Sequence, residues 1–233
     1  MKRRGSNWGI MNNELGIRGL VLKIKKFVFD TLFPIECLGC RREGKWFCDE
    51  CLAKIKVDAH SLSGESLDKI LTFYSYDNEL LKQAIHLLKY KFVEDLADPL
   101  GKLFSAEIKK VISQIGKEVI LMSVPLHKKR FLERGFNQAE LLSKTIAEGF
   151  GWLVENKALE RVHYTAPQTD LEEKDRYKNI RGAFAVKDAS KIINKKIVLI
   201  DDVLTTGATM EECARVLKTN GAREVWGVAL AKG

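Results

Sequence analysis

At 233 residues the chain is long enough for one substantial domain with a small appendage. Hydrophobic residues make up 45%, ordinary for a soluble globular protein, and no run approaches the ~18–20 apolar residues of a membrane-spanning helix. A net charge of +8 suits an anionic partner (a phosphorylated metabolite, nucleic acid or an acidic protein) without choosing among them.

The start, Met-Lys-Arg-Arg, lacks the apolar core and small-residue cleavage site of a secretory signal, so a cytoplasmic location is expected. Residues 1–16 are polar and aperiodic and read as a disordered leader. From 17 to 33, Leu20, Ile24, Phe27 and Val28 recur at roughly helical spacing among lysines. That pattern predicts a basic amphipathic helix packed on a small domain, the two together spanning 17–60. The small domain is marked by Cys37-x-x-Cys40 and Cys48-x-x-Cys51, with seven residues between the pairs. Each C-x-x-C loop brings two thiolates to one point, and two loops complete a four-sulfur cage that favours structural Zn²⁺. A redox pair, two disulfides or a sulfur cluster are the alternatives, and disulfides fit poorly with a chain that shows no export signal. Trp46 and Phe47 would support the knuckle, while Cys213 stands apart and reads as core.

Residues 61–233 form the main domain. A short strand is expected at 71–76. Leu81, Ala84, Ile85 and Leu88 then predict a helix ending at Lys89, Tyr90 and Lys91. Asp98 and Pro99 resemble an N-cap followed by proline at the first helical position, with Leu100, Leu103, Phe104 and Val111 continuing the stripe. The apolar run 119–124 predicts a buried strand feeding a loop over 125–138, and a further helix begins near Asn137. That loop gathers Lys128, Lys129, Arg130 and Arg134 just past a strand's carboxyl end, which is the ligand edge of an open α/β sheet. Taken alone it is a solvated basic loop; beside a phosphate site its arginines gain meaning, because guanidinium binds two oxygens at once. From Arg161 to Phe184 the chain has little apolar periodicity and is expected to form a long mobile loop or hood.

The most informative stretch is 197–209. An apolar run ends on Asp201 and Asp202, and a turn rich in threonine and glycine follows. Cys213, Val216 and Leu217 then lie at helical spacing, Asn220 and Gly221 give a stop, and 225–230 reads as a closing strand. Acids at a strand's carboxyl end beside a helix N-terminus can hold a phosphorylated sugar. The amides take the phosphate and the carboxylates accept from hydroxyls. A plainer alternative, in which Thr206 or Thr209 merely caps the helix, explains one acid and one hydroxyl but not the pair plus three threonines. No Walker loop or dinucleotide G-x-G-x-x-G is present.

This stretch closely resembles the 5-phosphoribosyl-1-pyrophosphate (PRPP) motif of type I phosphoribosyltransferases: a strand, an acidic pair, then T-[TS]-G-x-[TS]. The wider order of motifs resembles the ComF-like group of competence-associated phosphoribosyltransferase homologues. A cysteine knuckle follows L-F-P, and L-K-Y-K and V-P-L-H-x-x-R-x-x-x-R-G-F-N-Q come next. Then follow Q-x-x-L-x-x-x-x-R-x-x-N-x-x-G-x-F and the PRPP motif. The resemblance covers residues 32–232. It implies a type I phosphoribosyltransferase-like α/β fold, a mainly parallel sheet flanked by helices, with a small N-terminal zinc knuckle. It also implies that Asp201 and Asp202 address the ribose hydroxyls, while Val203, Thr205, Thr206, Gly207, Ala208 and Thr209 surround the 5-phosphate. Arg130, Arg134, Asn137 and Gln138 would meet pyrophosphate, with Mg²⁺ accompanying PRPP. Asp201, Asp202, Arg130 and Arg134 would carry the chemistry. Lys89, Gln168, Arg176 and Asn179 match family positions without an assigned role.

Two functions follow from the resemblance. One is transfer of phosphoribosyl from PRPP to a nitrogen acceptor with pyrophosphate release. The other is a non-catalytic PRPP sensor that binds single-stranded DNA, with Tyr90, Phe131 and Phe136 as stacking aromatics. Either would serve natural competence and DNA uptake beside a helicase-like partner. The chain has no glutaminase segment, so ammonia release from glutamine is not expected.

Overall fold

Apolar runs that do not alternate demand strands covered on both faces, and the sheet is built from them. The computed structural model describes residues 34–91, 93–164 and 173–233, apart from the side chains of 173–176. The expected leader and amphipathic helix lie outside the described residues. The chain divides between Leu52 and Ala53 into two units. The first carries the cysteine quartet and a short helix, α1 (Asp49–Leu52).

The second unit runs β1 (His60–Leu62), β2 (Lys69–Ser75), α2 (Glu79–Tyr90), α3 (Ala97–Ile115), β3 (Ile120–Ser123), α4 (Lys128–Arg134) and α5 (Gln138–Phe150). It continues with β4 (Leu153–Val154), β5 (Leu159–Arg161), α6 (Glu173–Ile180), β6 (Phe184–Val186), β7 (Lys196–Leu204), α7 (Ala208–Thr219) and β8 (Glu224–Lys232). The main sheet has the order β1-β2-β8-β7-β3-β4 and is parallel except for β1, which pairs antiparallel with β2. β5 and β6 form a separate antiparallel pair. The mainly parallel α/β sheet expected from the sequence is therefore present.

The two central strands explain themselves. In β8 every residue from Val225 to Ala231 is buried, and in β7 Ile197 through Ile200 are. Ile197 and Leu199 join a core with Met210, Cys213, Ala214 and Leu217 of α7. Val198 and Ile200 point to the opposite face and are equally buried. Cys213 is thus the core residue its spacing predicts. α2 starts at Asn78, whose side chain accepts from the Leu81 N–H at 3.1 Å, and buries the anticipated Leu81, Ala84, Ile85 and Leu88.

α3 packs on α5 at Gly101. A β-carbon there would lie 2.6 Å from Cβ of Thr145, closer than the two helices allow. Gly101→Ala is therefore expected to lower stability by about 1–3 kcal/mol through overpacking. Gly149→Ala on α5, where nothing lies within 4 Å, should be neutral or raise the melting temperature through helix propensity. Paired thermal melts check the contrast.

Three local expectations are corrected. Asp98 is not an N-cap: a 3₁₀ turn (Glu94–Leu96) leads straight into α3, and Asp98 pairs with Lys102 at 2.8 Å within its first turn. Part of the basic loop 125–138 is helix α4, capped by His127 Nδ1 accepting from Lys129 N–H and closed by left-handed Gly135. The hood between Arg161 and Phe184 is not structureless throughout. It contains α6 and is bounded by the β5–β6 pair.

Candidate functional site

β7 carries both acids inside the strand, whose last residue is Leu204. The chain then turns at Gly207, φ +81°, a conformation that favours glycine, and α7 begins at the next residue. The N-cap residue, Gly207, has no side chain to cap with, and Thr206 Oγ1 accepts a long 3.4 Å bond from Ala208 N–H. The N-cap of α7 is thus Gly207 rather than either threonine of the plainer alternative. First-turn amides at the positive end of a helix suit an anion. From the hood, the Tyr177 hydroxyl donates to the Thr206 carbonyl at 2.9 Å.

A cleft of about 240 Å³ opens at this edge. Asp201, Asp202, Val203, Thr205, Gly207 and Thr209 line it on one side, and Arg130, Arg134 and Gln138 come from α4 and α5. Lys89 enters from α2. The Arg134 Nη1 donates to Gln138 Oε1 at 3.0 Å, and its guanidinium lies 5.3 Å from the Tyr90 ring centre. Thr206 and Ala208 instead line a neighbouring cleft of about 760 Å³ with Tyr177 and Arg181. That cleft shares Thr205 and Gly207 with the first, so the turn has a wall on each side.

The two acids differ sharply. Asp202 is nearly inaccessible: its side chain is 3% exposed, and Oδ1 meets the Lys89 ammonium at 2.9 Å. Its Oδ2 is buried with no hydrogen-bond partner among the described residues. Asp201 Oδ1 accepts the Asp202 backbone N–H at 2.9 Å. Burial, then the neighbouring Asp202 charge, push the Asp201 carboxyl up to about 8, while Lys89 pulls the other way. Burial alone would lower the Lys89 ammonium, but the charges of Asp202 and Asp201 outweigh it and raise it above its ordinary value.

Other expected residues fall elsewhere. Asn137 supports the site without facing the ligand space: its Oδ1 caps α5 through Ala139 N–H at 3.1 Å, and its Nδ2 donates to the Val124 carbonyl at 3.0 Å. Phe136 is 7% exposed and belongs to the interior, so it is not a stacking aromatic, whereas Tyr90 and Phe131 are exposed. Asn179 sits half-buried on α6, outside the lining of both clefts. Arg176 lies on the same helix with its side chain outside the described residues, and Gln168 lies outside them altogether.

Two cleft residues were not anticipated. Tyr76 follows β2 at its carboxyl end, a position that the ligand-edge rule could have flagged. Arg161 ends β5, and its guanidinium lies 5.5 Å from the Phe184 ring centre. Burial and the nearby Arg130 charge hold it below its ordinary proton affinity. No spacing signal in the sequence distinguishes it.

In the first unit the four sulfurs of Cys37, Cys40, Cys48 and Cys51 all lie within 4.8 Å of one another. The first loop is shaped by Arg41 N–H on the Cys37 carbonyl at 2.9 Å and by left-handed Arg41, φ +64°. Cys48 N–H donates to Cys37 Sγ at 3.4 Å. Burial opposes ionisation of Cys37, yet N–H donors from Cys48, Cys40 and Gly39 bring its thiol down to about 6. Four cysteine sulfurs this close fit a metal such as zinc. Phe47 is buried beside the ligand positions, as its place in the knuckle predicts.

Residues 131–233 match the phosphoribosyl transferase domain family. "Competence protein F" of Haemophilus influenzae is 29% identical over 84% of this chain and 90% of its own length. "DNA utilization protein YhgH" of Escherichia coli is 30% identical over 82% of this chain and 86% of its own. "Competence protein ComFC" of Streptococcus pneumoniae is 32% identical over 84% and 80%, respectively. Among solved structures, an allosteric regulatory enzyme of purine biosynthesis aligns at 17% identity with a TM-score of 0.39. The match covers 57% of this chain and 26% of that one, so the chain spans about a quarter of that enzyme's length. No described helix is long and apolar enough to cross a membrane. With a phosphoribosyl transferase domain and relatives of this kind aligned over most of its length, the chain belongs to the ComF-like family of competence-associated phosphoribosyltransferase homologues.

Proposed function

We propose that the chain binds PRPP in the cleft below Asp201 and Asp202 and transfers its phosphoribosyl group to a nitrogen acceptor. The observation that carries this reading is one cleft lined by the acid pair, Thr205, Gly207 and Thr209, and by Arg130 and Arg134. Amides and hydroxyls of 205–209 hold the 5-phosphate. The carboxylates accept from the ribose 2- and 3-hydroxyls. As the nucleophile attacks C1, the C1–O bond to pyrophosphate breaks and negative charge builds on the leaving oxygen. Arg130 and Arg134 stabilise that charge, while the carboxylates stabilise positive charge developing on the ribose ring.

Mg²⁺ belongs with the substrate in this reading. Among the described residues, the cysteine quartet is the one group of three or more potential ligands close enough to hold a metal. Near the sugar site, Asp202 Oδ1 already faces Lys89. Mg²⁺ commonly arrives on phosphate oxygens with only one or two protein carboxylates. The ion assigned to the quartet is Zn²⁺, closed off from chemistry by four sulfurs.

The names of the relatives support a role in DNA uptake or use; a cytoplasmic location and a helicase-like partner belong to the same proposal and rest on the family resemblance alone. A second, non-catalytic reading has its own support. Tyr90 with Arg134, and Tyr164 with Lys129 at 4.8 Å, pair exposed aromatics with cations. Such pairs suit backbone and base contacts with single-stranded DNA.

Purified protein with PRPP, Mg²⁺ and a panel of nitrogen acceptors is expected to release pyrophosphate. No release with any acceptor, together with PRPP binding and salt-sensitive binding to single strands, would replace the enzyme reading with the sensor reading.

A further inference from the structure

The acid pair is approached by a cation that PRPP-site chemistry does not by itself require. Lys89 sits in the last turn of α2, and its ammonium reaches across to Asp202 of β7 at 2.9 Å. Both partners are largely removed from water, at 17% and 3% exposure. An ion pair this deep repays its desolvation only when its remaining hydrogen-bonding capacity is also met. It is not met: Asp202 Oδ2 has no partner among the described residues, although the residue lines the cleft. A buried carboxyl oxygen lacking a donor is a position made for one.

We propose that Lys89 is a positioning residue, holding Asp202 by Oδ1 so that Oδ2 accepts a hydroxyl of the bound sugar. This rests on the PRPP reading and deepens it, because it divides the labour within the acid pair. Asp202 is the fixed acceptor, its Oδ1 held by the Lys89 ammonium at 2.9 Å. Asp201 is the more open member and the one that must lose a proton to accept the second hydroxyl. The groups around Asp201 are Asp202 on its own strand, Lys89 from α2, Arg161 from β5 and Cys213 from α7. Against burial and the Asp202 charge, the Lys89 ammonium pulls the Asp201 carboxyl down, so removing it drives a proton onto the pair. The sugar site is then expected to strengthen as pH rises toward 8 and level off above it, with Lys89 setting the midpoint.

The test uses the full chain with two probes, ribose 5-phosphate and inorganic pyrophosphate, titrated calorimetrically from pH 6 to 10. Lys89→Met should weaken ribose 5-phosphate about tenfold or more at pH 7, the scale of one lost charge-assisted contact. It should also move the midpoint of the pH profile upward. Pyrophosphate binding, which depends on Arg130 and Arg134, should change by less than about twofold, as expected where no partner is shared. Lys89→Arg should restore most of the affinity, and a melting curve on each variant confirms folding.

An unmoved midpoint in Lys89→Met, with wild-type ribose 5-phosphate binding intact, overturns the inference and leaves the PRPP reading standing. Failure of the wild type to bind ribose 5-phosphate at any pH overturns the sugar site and this role for Lys89 together. Loss of both probes in Lys89→Met, with Lys89→Arg also inactive, marks a structural role and overturns positioning.

Discussion

The double variant Asp201→Asn/Asp202→Asn is expected to lose PRPP and ribose 5-phosphate binding by roughly 100-fold or more. Each carboxylate that accepts a hydroxyl makes a charge-assisted bond worth about 1.5–3 kcal/mol, and two such losses multiply the dissociation constant accordingly. Calorimetric titration measures it, and undiminished binding rejects the ribose assignment. The single change Asp201→Asn carries a second expectation of opposite sign. In the folded chain this carboxyl is pushed up to about 8, far above its unfolded value. An acid with a raised folded value binds more protons when folded, so its unfavourable contribution grows as pH rises from about 4 toward 8. Asp201→Asn should therefore melt higher than wild type near pH 8–9, with the gain fading toward pH 4. A variant that loses ligand while gaining stability would identify Asp201 as a group kept for function. Equal melting temperatures across that range would contradict the raised proton affinity.

Replacing any one of Cys37, Cys40, Cys48 or Cys51 by serine is the other change with a large expected effect. Four sulfurs within 4.8 Å of one another cannot all be thiolates without a cation among them. On the zinc assignment, the metal's binding free energy is a large part of what orders residues 34–52. Wild-type protein should carry about one zinc per chain, and each serine variant, or wild type treated with a strong chelator, close to none. Cys37 and Cys40 should then become open to alkylation. Metal analysis with mass spectrometry of alkylated protein decides it; a zinc-free wild type with all four thiols freely alkylated ends the knuckle assignment. Acid should release the metal, because protons compete for the sulfurs.

Much of this organisation was legible in the residues, and the exceptions have physical causes. Long apolar runs such as 197–200 and 225–230 announce buried parallel strands, and Leu81 to Leu88 announces a helix, because periodicity reports burial directly. The acid pair and its glycine turn were legible because few other folds need those residue types in that order. Helix α4 was not, since its seven residues bury none of their side chains and leave no periodic stripe to read. Phe136 reads as an aromatic among basic residues; only the folded structure shows it buried. The unequal roles of Asp201 and Asp202 arise from Lys89, far away along the chain, and local sequence carries no trace of that meeting. The same holds for Arg161, brought to the cleft by the hydrogen-bonded ladder between β5 and β6.

The strand order has a consequence for how the molecule comes into being. Among the described residues, β2 joins the parallel sheet only through β8, whose residues follow all others of the sheet in the chain. During synthesis, the segment bearing β2 and Lys89 must wait beside an unfilled slot until β8 emerges and bridges it to β7. Contacts so distant in sequence are slow to close and leave strand edges exposed meanwhile. The Lys89–Asp202 pair thus lies on a seam that closes late. A chain stalled before residue 224 would hold its acid pair on a strand that lacks one neighbour.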